Sequence, residues 1–261
     1  MSRLRAAAAS VNGLGLLTIA VCLVAWELLV RGSTVQYDYL PTPSAILGGL
    51  VVLLSSGQFW ADTAHTLQVV ILGWSIAGII GITLGVAMGI SPAFRRYSLA
   101  TVEVLRPMPG IAFVPVALLL FGFSLETELV VIILPALWPV LINTMGGVAN
   151  VHPRLFEIGA TFRLSRAAIV RKLLVPAALP SILVGLRLSL TLALVLAIVA
   201  EMVGNPAGLG YALVRDQQAL RPAVMFADVI VIGILGIALN QLLIQITGLL
   251  FPASSGRLRA A

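Results

Sequence analysis

The chain has 261 residues, 60% of them hydrophobic and only 10% charged, with a formal net charge of +6. That much apolar surface exceeds what a soluble domain can bury, and lipid is the solvent that admits it. Runs such as Val69–Ile90 and Leu188–Val199 are apolar on nearly every face, which excludes the amphipathic helices of a large soluble bundle.

A hydrocarbon core takes roughly 20 apolar residues per helix. On that measure the chain is an all-α polytopic membrane protein with about six spans: 12–30, 67–90, 109–124, 128–148, 183–203 and 227–251. The first span follows Arg3 and Arg5 and contains Cys22, the single cysteine, so no intrachain disulfide forms. It lacks a small-x-small cleavage site, and Trp26 and Glu27 follow its apolar stretch, so it reads as a retained anchor.

Residues 31–66 are too long for a simple turn. Pro41 and Pro43 precede Ser44, which reads as the N-cap of a short helix to about Leu54, lying on the membrane surface or against other spans. The second span carries Gly73, Ala77, Gly81, Gly85 and Gly89 at intervals of four. This small-residue stripe lets another backbone approach closely, either within one subunit or at a seam between subunits.

Pro107, Pro109 and Pro115 interrupt the third span. The fourth contains LPALWPVLIN, where Pro135 and Pro139 predict a bend, with Trp138 at the bend and Asn143 one turn beyond Pro139. Such a segment either lines a pathway or is ordinary buried packing. In the sixth span Gln241 and Gln245 share a face beside Asn240, for interhelical hydrogen bonds or for a substrate.

The basic residues follow membrane topology, not a nucleic-acid surface. With the N-terminus in the cytoplasm, Arg3, Arg5, Arg95, Arg96, Arg106, the Arg154–Lys172 cluster, Arg257 and Arg259 all fall inside. Arg31, Arg215 and Arg221 fall outside, with Asp38, Asp62, Glu126, Glu128 and Asp216. This is the positive-inside pattern. It makes 91–108 and 149–182 cytoplasmic, 31–66 and 204–226 external, and both termini cytoplasmic.

Absences narrow the class further. Lys172 is the only lysine and follows no phosphate-cradling glycine loop. His65 and His152 fall on opposite sides of the membrane, so the sequence predicts no metal site and no bound cofactor. No nucleophile elbow occurs, and Glu27, Glu201 and Asp228 lie near external span ends, away from the mid-membrane depth a proton relay uses. No inverted repeat of the secondary-transporter kind is present. The chain reads as a non-enzyme.

Five of the sixteen Lys and Arg fall between Arg154 and Lys172. Pro153 opens this segment and Glu157 sits in its first turn, where a carboxylate complements the helix dipole. Ser165 reads as the N-cap of a second short helix, Arg166 to about Leu174. Ala167, Ile169, Val170, Leu173 and Leu174 give it an apolar side, and Arg166, Arg171 and Lys172 its charge. Pro176 and Pro180 are expected to stop it before the fifth span. The result is a helix–turn–helix able to lay one face into a partner's groove, or else a solvated basic loop.

This stretch resembles the "EAA" loop of ATP-binding-cassette importer permeases. Glu157-Ile158-Gly159 stand for the motif's first three residues and Ala178-Leu179-Pro180 for its end. The family's characteristic glycine falls at Arg163, a departure from which a turn without free positive φ is expected. YLPTPSAI (39–46), LRPMPGIAFVPVALLLFGFS (105–124), ILPALWPVLINTMGGVANVHPRLFEIGA (133–160) and GLGYALVRD (208–216) resemble the subgroup used for nitrate, sulfonate, taurine and related solutes.

The resemblance implies a type I ABC importer permease fold and a subunit of the bacterial cytoplasmic membrane that forms the translocation path. It implies a second permease chain, identical or related, two cytoplasmic ATPases carrying ATP and Mg, and an external solute-binding protein. It makes residues 157–175 the coupling loop, with Glu157, Gly159, Arg163, Ser165, Arg166, Ile169, Lys172, Leu173, Pro176 and Pro180 as its working residues. Trp138, Asn143, Gln241 and Gln245 are candidates for the path. A stand-alone secondary transporter or channel and a non-transporting scaffold are the competing readings.

Overall fold

The computed structural model describes residues 13–33 and 39–251, and these are helical with short connections. Arg3, Arg5, Asp38, Arg257 and Arg259, used in the charge pattern above, lie outside the described residues. The helices are α1 (Gly13–Gly32), α2 (Pro43–Ser55), α3 (Gly57–Ile90), α4 (Pro92–Leu105), α5 (Val114–Phe121), α6 (Leu125–Ala149), α7 (Arg154–Thr161), α8 (Arg166–Ile169), α9 (Val175–Gly204), α10 (Leu209–Gln218) and α11 (Pro222–Leu250). A 3₁₀ turn, Gly110–Phe113, precedes α5, and a π-turn, Val170–Leu174, joins α8 to α9.

Five continuous helical stretches are long and apolar enough to cross a membrane: α1, α3, α6, Arg166–Gly204 and α11. A sixth candidate is a bent pair of helices. α4 and the Gly110–Phe121 stretch meet at 82° across the Pro107 and Pro109 break, so 109–124 is a 3₁₀ turn and a short helix instead of one straight span. Pro lacks the N–H that would carry the helix through, which is why the chain turns there.

The described residues divide into two compact units, one drawn from 13–33, 39–60 and 212–231 and the other from 61–211 and 232–251. In the first, α2 begins two residues earlier than the sequence suggests. Thr42, not Ser44, is the N-cap, its hydroxyl accepting the Ala45 N–H at 3.2 Å. Pro43 sits comfortably at the first helical position because that N–H needs no intrahelical partner. Ser44 is thereby freed to donate its N–H (3.0 Å) and hydroxyl (2.7 Å) to the Glu27 carboxylate of α1, which also pairs with Arg31 at 2.6 Å. Gly49 of α2 backs onto the Ala223 backbone.

The second unit is built on α3, α6 and α9. Val69, Val70 and Ala77 of α3 meet Ile132 and Ala136 of α6 and Leu190, Ala193, Leu194 and Ala197 of α9, flanked by Leu235, Leu239 and Leu243 of α11. The small-residue stripe on α3 is the seat of this packing within the chain. A Cβ built at Gly73 would stand 2.7 Å from Ile132 Cγ2, one at Gly81 2.8 Å from Val140 Cβ, and one at Gly85 2.6 Å from Thr144 Cβ. At Gly89 it would stand 2.6 Å from Val148 Cβ. Each step of one helical turn along α3 thus meets a side chain one or two turns further along α6.

Pro135 and Pro139 lie inside a single helix, α6. Two polar side chains add hydrogen bonds to carbonyls of the proline-containing stretch. Ser189 donates its hydroxyl to the Ala136 carbonyl at 2.7 Å, and Asn143 Nδ2 donates to the Pro139 carbonyl at 2.8 Å.

Candidate functional site

The connection between α6 and α9 folds as two short arms. α7 rises from Arg154, then the chain reverses through Phe162–Ser165 and returns as α8 and the π-turn. The reversal is a Schellman closure: the Leu164 N–H donates to the Gly159 carbonyl at 2.9 Å while Arg163 adopts φ 49°. The left-handed conformation expected only of a glycine is therefore present at Arg163. The six-residue closing bond and an exposed guanidinium free to point into solvent hold an ordinary L-residue there, at a cost of about 1–2 kcal/mol.

Ser165 caps the returning arm as the sequence suggests, its Oγ accepting the Ala168 N–H at 3.3 Å. The arms close on each other at Gly159, which is buried. A Cβ there would lie 2.9 Å from Ile169 Cγ1 and 3.5 Å from Leu173 Cδ1. Glu157, Arg163, Ser165, Arg166, Arg171 and Lys172 all stand exposed on the outer surface of this hairpin.

The returning arm does not stop at Pro176 and Pro180. Helix runs unbroken from Arg166 to Gly204, 39 residues. The π-turn is the physical reason: the Val175 N–H bonds back to the Val170 carbonyl, five residues away, and this wider turn makes room for a proline ring at the start of α9. The consequence is mechanical. Ile169, Val170, Leu174 and Val175 pack with Ile82 and Val86 of α3, Val148 of α6 and Ala178 and Ile182 of α9 in one cluster. The hairpin is thereby packed directly against three long helices.

A second feature is a cavity of about 360 Å³ lined by Arg106, Pro135, Trp138, Pro139, Ile142, Asn143, Leu188 and Leu192. It brings together Trp138 and Asn143, two of the four path residues picked from sequence. Gln241 and Gln245 are not in its lining and stand exposed on α11. Asn240 beside them accepts a hydrogen bond from Arg187 Nε at 2.8 Å. Sequence reasoning assigned Arg106 to membrane topology and missed its place in the cavity. Its position between Leu105 and Pro107, at the break in a span, was the available signal.

Residues 77–255, more than half of the chain, match the family described as binding-protein-dependent transport system inner membrane component. The chain belongs to that family. A putative aliphatic sulfonates transport permease protein, SsuC of Bacillus subtilis (strain 168), is 32% identical over 85% of this chain and 80% of its own. The taurine transport system permease protein TauC of Escherichia coli (strain K12) is 29% identical over 85% of this chain and 83% of its own. The nitrate import permease protein NrtB of Leptolyngbya laminosa is 31% identical over 71% and 66%. Among solved structures, the inward-facing MetNI methionine ABC transporter aligns with a TM-score of 0.58 at 19% identity, covering 74% of this chain and 96% of that one. An amino acid ABC transporter with histidines aligns with a TM-score of 0.59 at 18% identity, over 77% and 96%. The fold is that of type I ABC importer permeases, and the chain is a multi-pass ABC permease subunit.

Proposed function

We propose that this permease forms the translocation path of an importer and takes its power stroke through the hairpin 154–174. The observation that carries this reading is the hairpin's two-sidedness: a charged outer surface, and an inner surface packed on α3, α6 and α9 through Ile169, Val170 and Leu174, with the two arms closed on each other at Gly159. Lacking nucleotide chemistry of its own, the chain draws on two ATPase subunits that hold ATP and Mg. Their closure moves the hairpin and rocks the spans between inward- and outward-open states, a two-state coupling. A second permease chain completes the pore, and an external solute-binding protein delivers the substrate. Both termini and the hairpin face the cytoplasm, as the distribution of Lys and Arg indicates.

The substrate is a small solute of the kind named for the relatives, a sulfonate, taurine or nitrate, or else a vitamin-like heterocycle. The cavity beside α6 offers one guanidinium, one indole and one amide among aliphatic walls, a surface suited to a small polar head on an apolar body. The test uses the reconstituted transporter in vesicles. Glu157→Lys, or a proline placed within 166–174, is expected to abolish substrate-stimulated ATP hydrolysis while the permease remains inserted. Wild-type stimulation in both variants would remove the coupling role. Uptake that persists without the ATPases and follows an ion gradient would favour a stand-alone transporter.

A further inference from the structure

Three residues far apart in the sequence meet at one end of the α3–α6–α9 core. His65 comes from the early part of α3, Glu128 from the first turn of α6 and Glu201 from the last turn of α9. One donor atom from each lies within 4.8 Å of the others. Both carboxylates are fully buried, and the His65 side chain is 25% exposed. Asn205, which caps α9, completes the ring: its Nδ2 is 2.9 Å from Glu128 Oε1 and 3.3 Å from His65 Nε2.

Donors and acceptors are unevenly matched in this cluster. His65 Nε2 lies 3.2 and 3.1 Å from the two Glu128 oxygens and 3.3 Å from the Asn205 amide nitrogen. One ring nitrogen carries either a proton or a lone pair, so with Nε2 donating to the carboxylate and Nδ2 donating to Glu128 Oε1, the approach of the two nitrogens carries no hydrogen bond. Glu201 adds a second defect. Its Oε2 accepts the Gly210 N–H at 2.9 Å, but its buried Oε1 has no hydrogen-bond partner. Two buried carboxylates cost several kcal/mol each to desolvate, and one imidazolium can balance only one of them.

A divalent cation balances both carboxylates and uses the unmatched oxygen. Neutral His65 offers its Nε2 lone pair, Glu128 an oxygen already in place, and Glu201 the Oε1 that has no partner to lose. Turning the Asn205 amide presents Oδ1 in place of Nδ2 as a fourth donor. Ligands held at about 2.0–2.2 Å on a tetrahedral ion stand roughly 3.3 Å apart, close to the 3.1–3.2 Å between His65 Nε2 and Glu128. The remaining closure is a side-chain rotation of Glu201. We propose that His65, Glu128 and Glu201, with Asn205, form a binding site for a divalent transition-metal cation of the zinc or manganese class. One imidazole among oxygen donors selects that class over magnesium, which keeps its own waters and prefers oxygen alone. Bound there, the ion ties the ends of α3, α6 and α9 together.

The test uses the full chain in lipid nanodiscs, purified without a histidine tag and stripped with a chelator. Calorimetric titration with Zn²⁺, with metal counted by mass spectrometry after dialysis, is expected to give one ion per chain and a raised unfolding temperature. Mg²⁺ in place of Zn²⁺ is expected to give neither. Glu201→Gln keeps an acceptor for the Gly210 N–H and so preserves the fold, yet it should weaken Zn²⁺ binding at least tenfold. His65→Gln should do the same, and His152→Ala, outside the cluster, should change nothing. Zn²⁺ stoichiometry and affinity that are equal in wild type, Glu201→Gln and His65→Gln would overturn the site, as would no retained metal in the wild type.

Discussion

Replacing Gly159 by leucine is the sharpest perturbation of the hairpin. A Cβ at that position already stands 2.9 and 3.0 Å from Ile169 Cγ1 and Cδ1, inside ordinary contact distance, and three further carbons would follow it toward Leu173. Overpacking of this kind costs about 1–3 kcal/mol, and the better helix propensity of leucine returns somewhat under 1 kcal/mol. The net of roughly 1–2 kcal/mol corresponds to a 5–30-fold fall in the ratio of closed to open hairpins. The core of α3, α6 and α9 around Val69, Ile132 and Ala193 is untouched, so the protein should still insert and purify normally. In vesicles containing the complete transporter, substrate-stimulated ATP hydrolysis and uptake should fall together, the ratio change setting the upper bound on the loss. Gly159→Ala is the control: the flexible end of Ile169 gives way, the propensity gain offsets the strain, and coupling should stay near wild type. Full coupling in Gly159→Leu would refute the claim that the two arms move as one body.

Gly85→Leu should lower the thermal midpoint in detergent by several degrees, because its Cβ alone would stand 2.6 Å from Thr144 Cβ and 2.7 Å from the Leu141 carbonyl oxygen. Gly48→Ala, where nothing lies within 4 Å, should leave the midpoint unchanged or slightly raised. An equal drop in both variants would contradict the packing role of the α3 stripe. In a Cys22→Ser background, cysteines at Trp138 and Asn143 should react with a water-soluble thiol reagent and be protected by substrate. Cysteines at Gln241 and Gln245 should show no substrate protection, since both residues lie outside the cavity lining.

The long spans were legible because uniform apolar runs leave lipid as the only solvent, and the α3 stripe because a repeat of four is a helical face. The Ser165 cap could be read from one residue type before an apolar-periodic run. What failed was local backbone chemistry. A rule that proline ends a helix missed the π-turn before Pro176, which depends on a hydrogen bond five residues back and has no compositional mark. The α2 cap is Thr42 and not Ser44 because Pro43 takes the first helical position and leaves the cap to the residue before it. At Arg163, a preference of glycine for positive φ was mistaken for a requirement. The meeting of His65, Glu128 and Glu201 was illegible for another reason. Each residue sits alone near a span end, and only the packing of three helices brings them together.

The central claim is that the hairpin 154–174 is the surface on which the ATPases act. Ala167 is exposed on the returning arm, and with Cys22 replaced by serine a cysteine there is the only thiol in the chain. Disulfide cross-linking from Ala167→Cys to single cysteines on the ATPase subunits should succeed in the assembled transporter, and its yield should change when ATP binds. No cross-link in any nucleotide state, from a complex that still transports at full rate, would contradict the account.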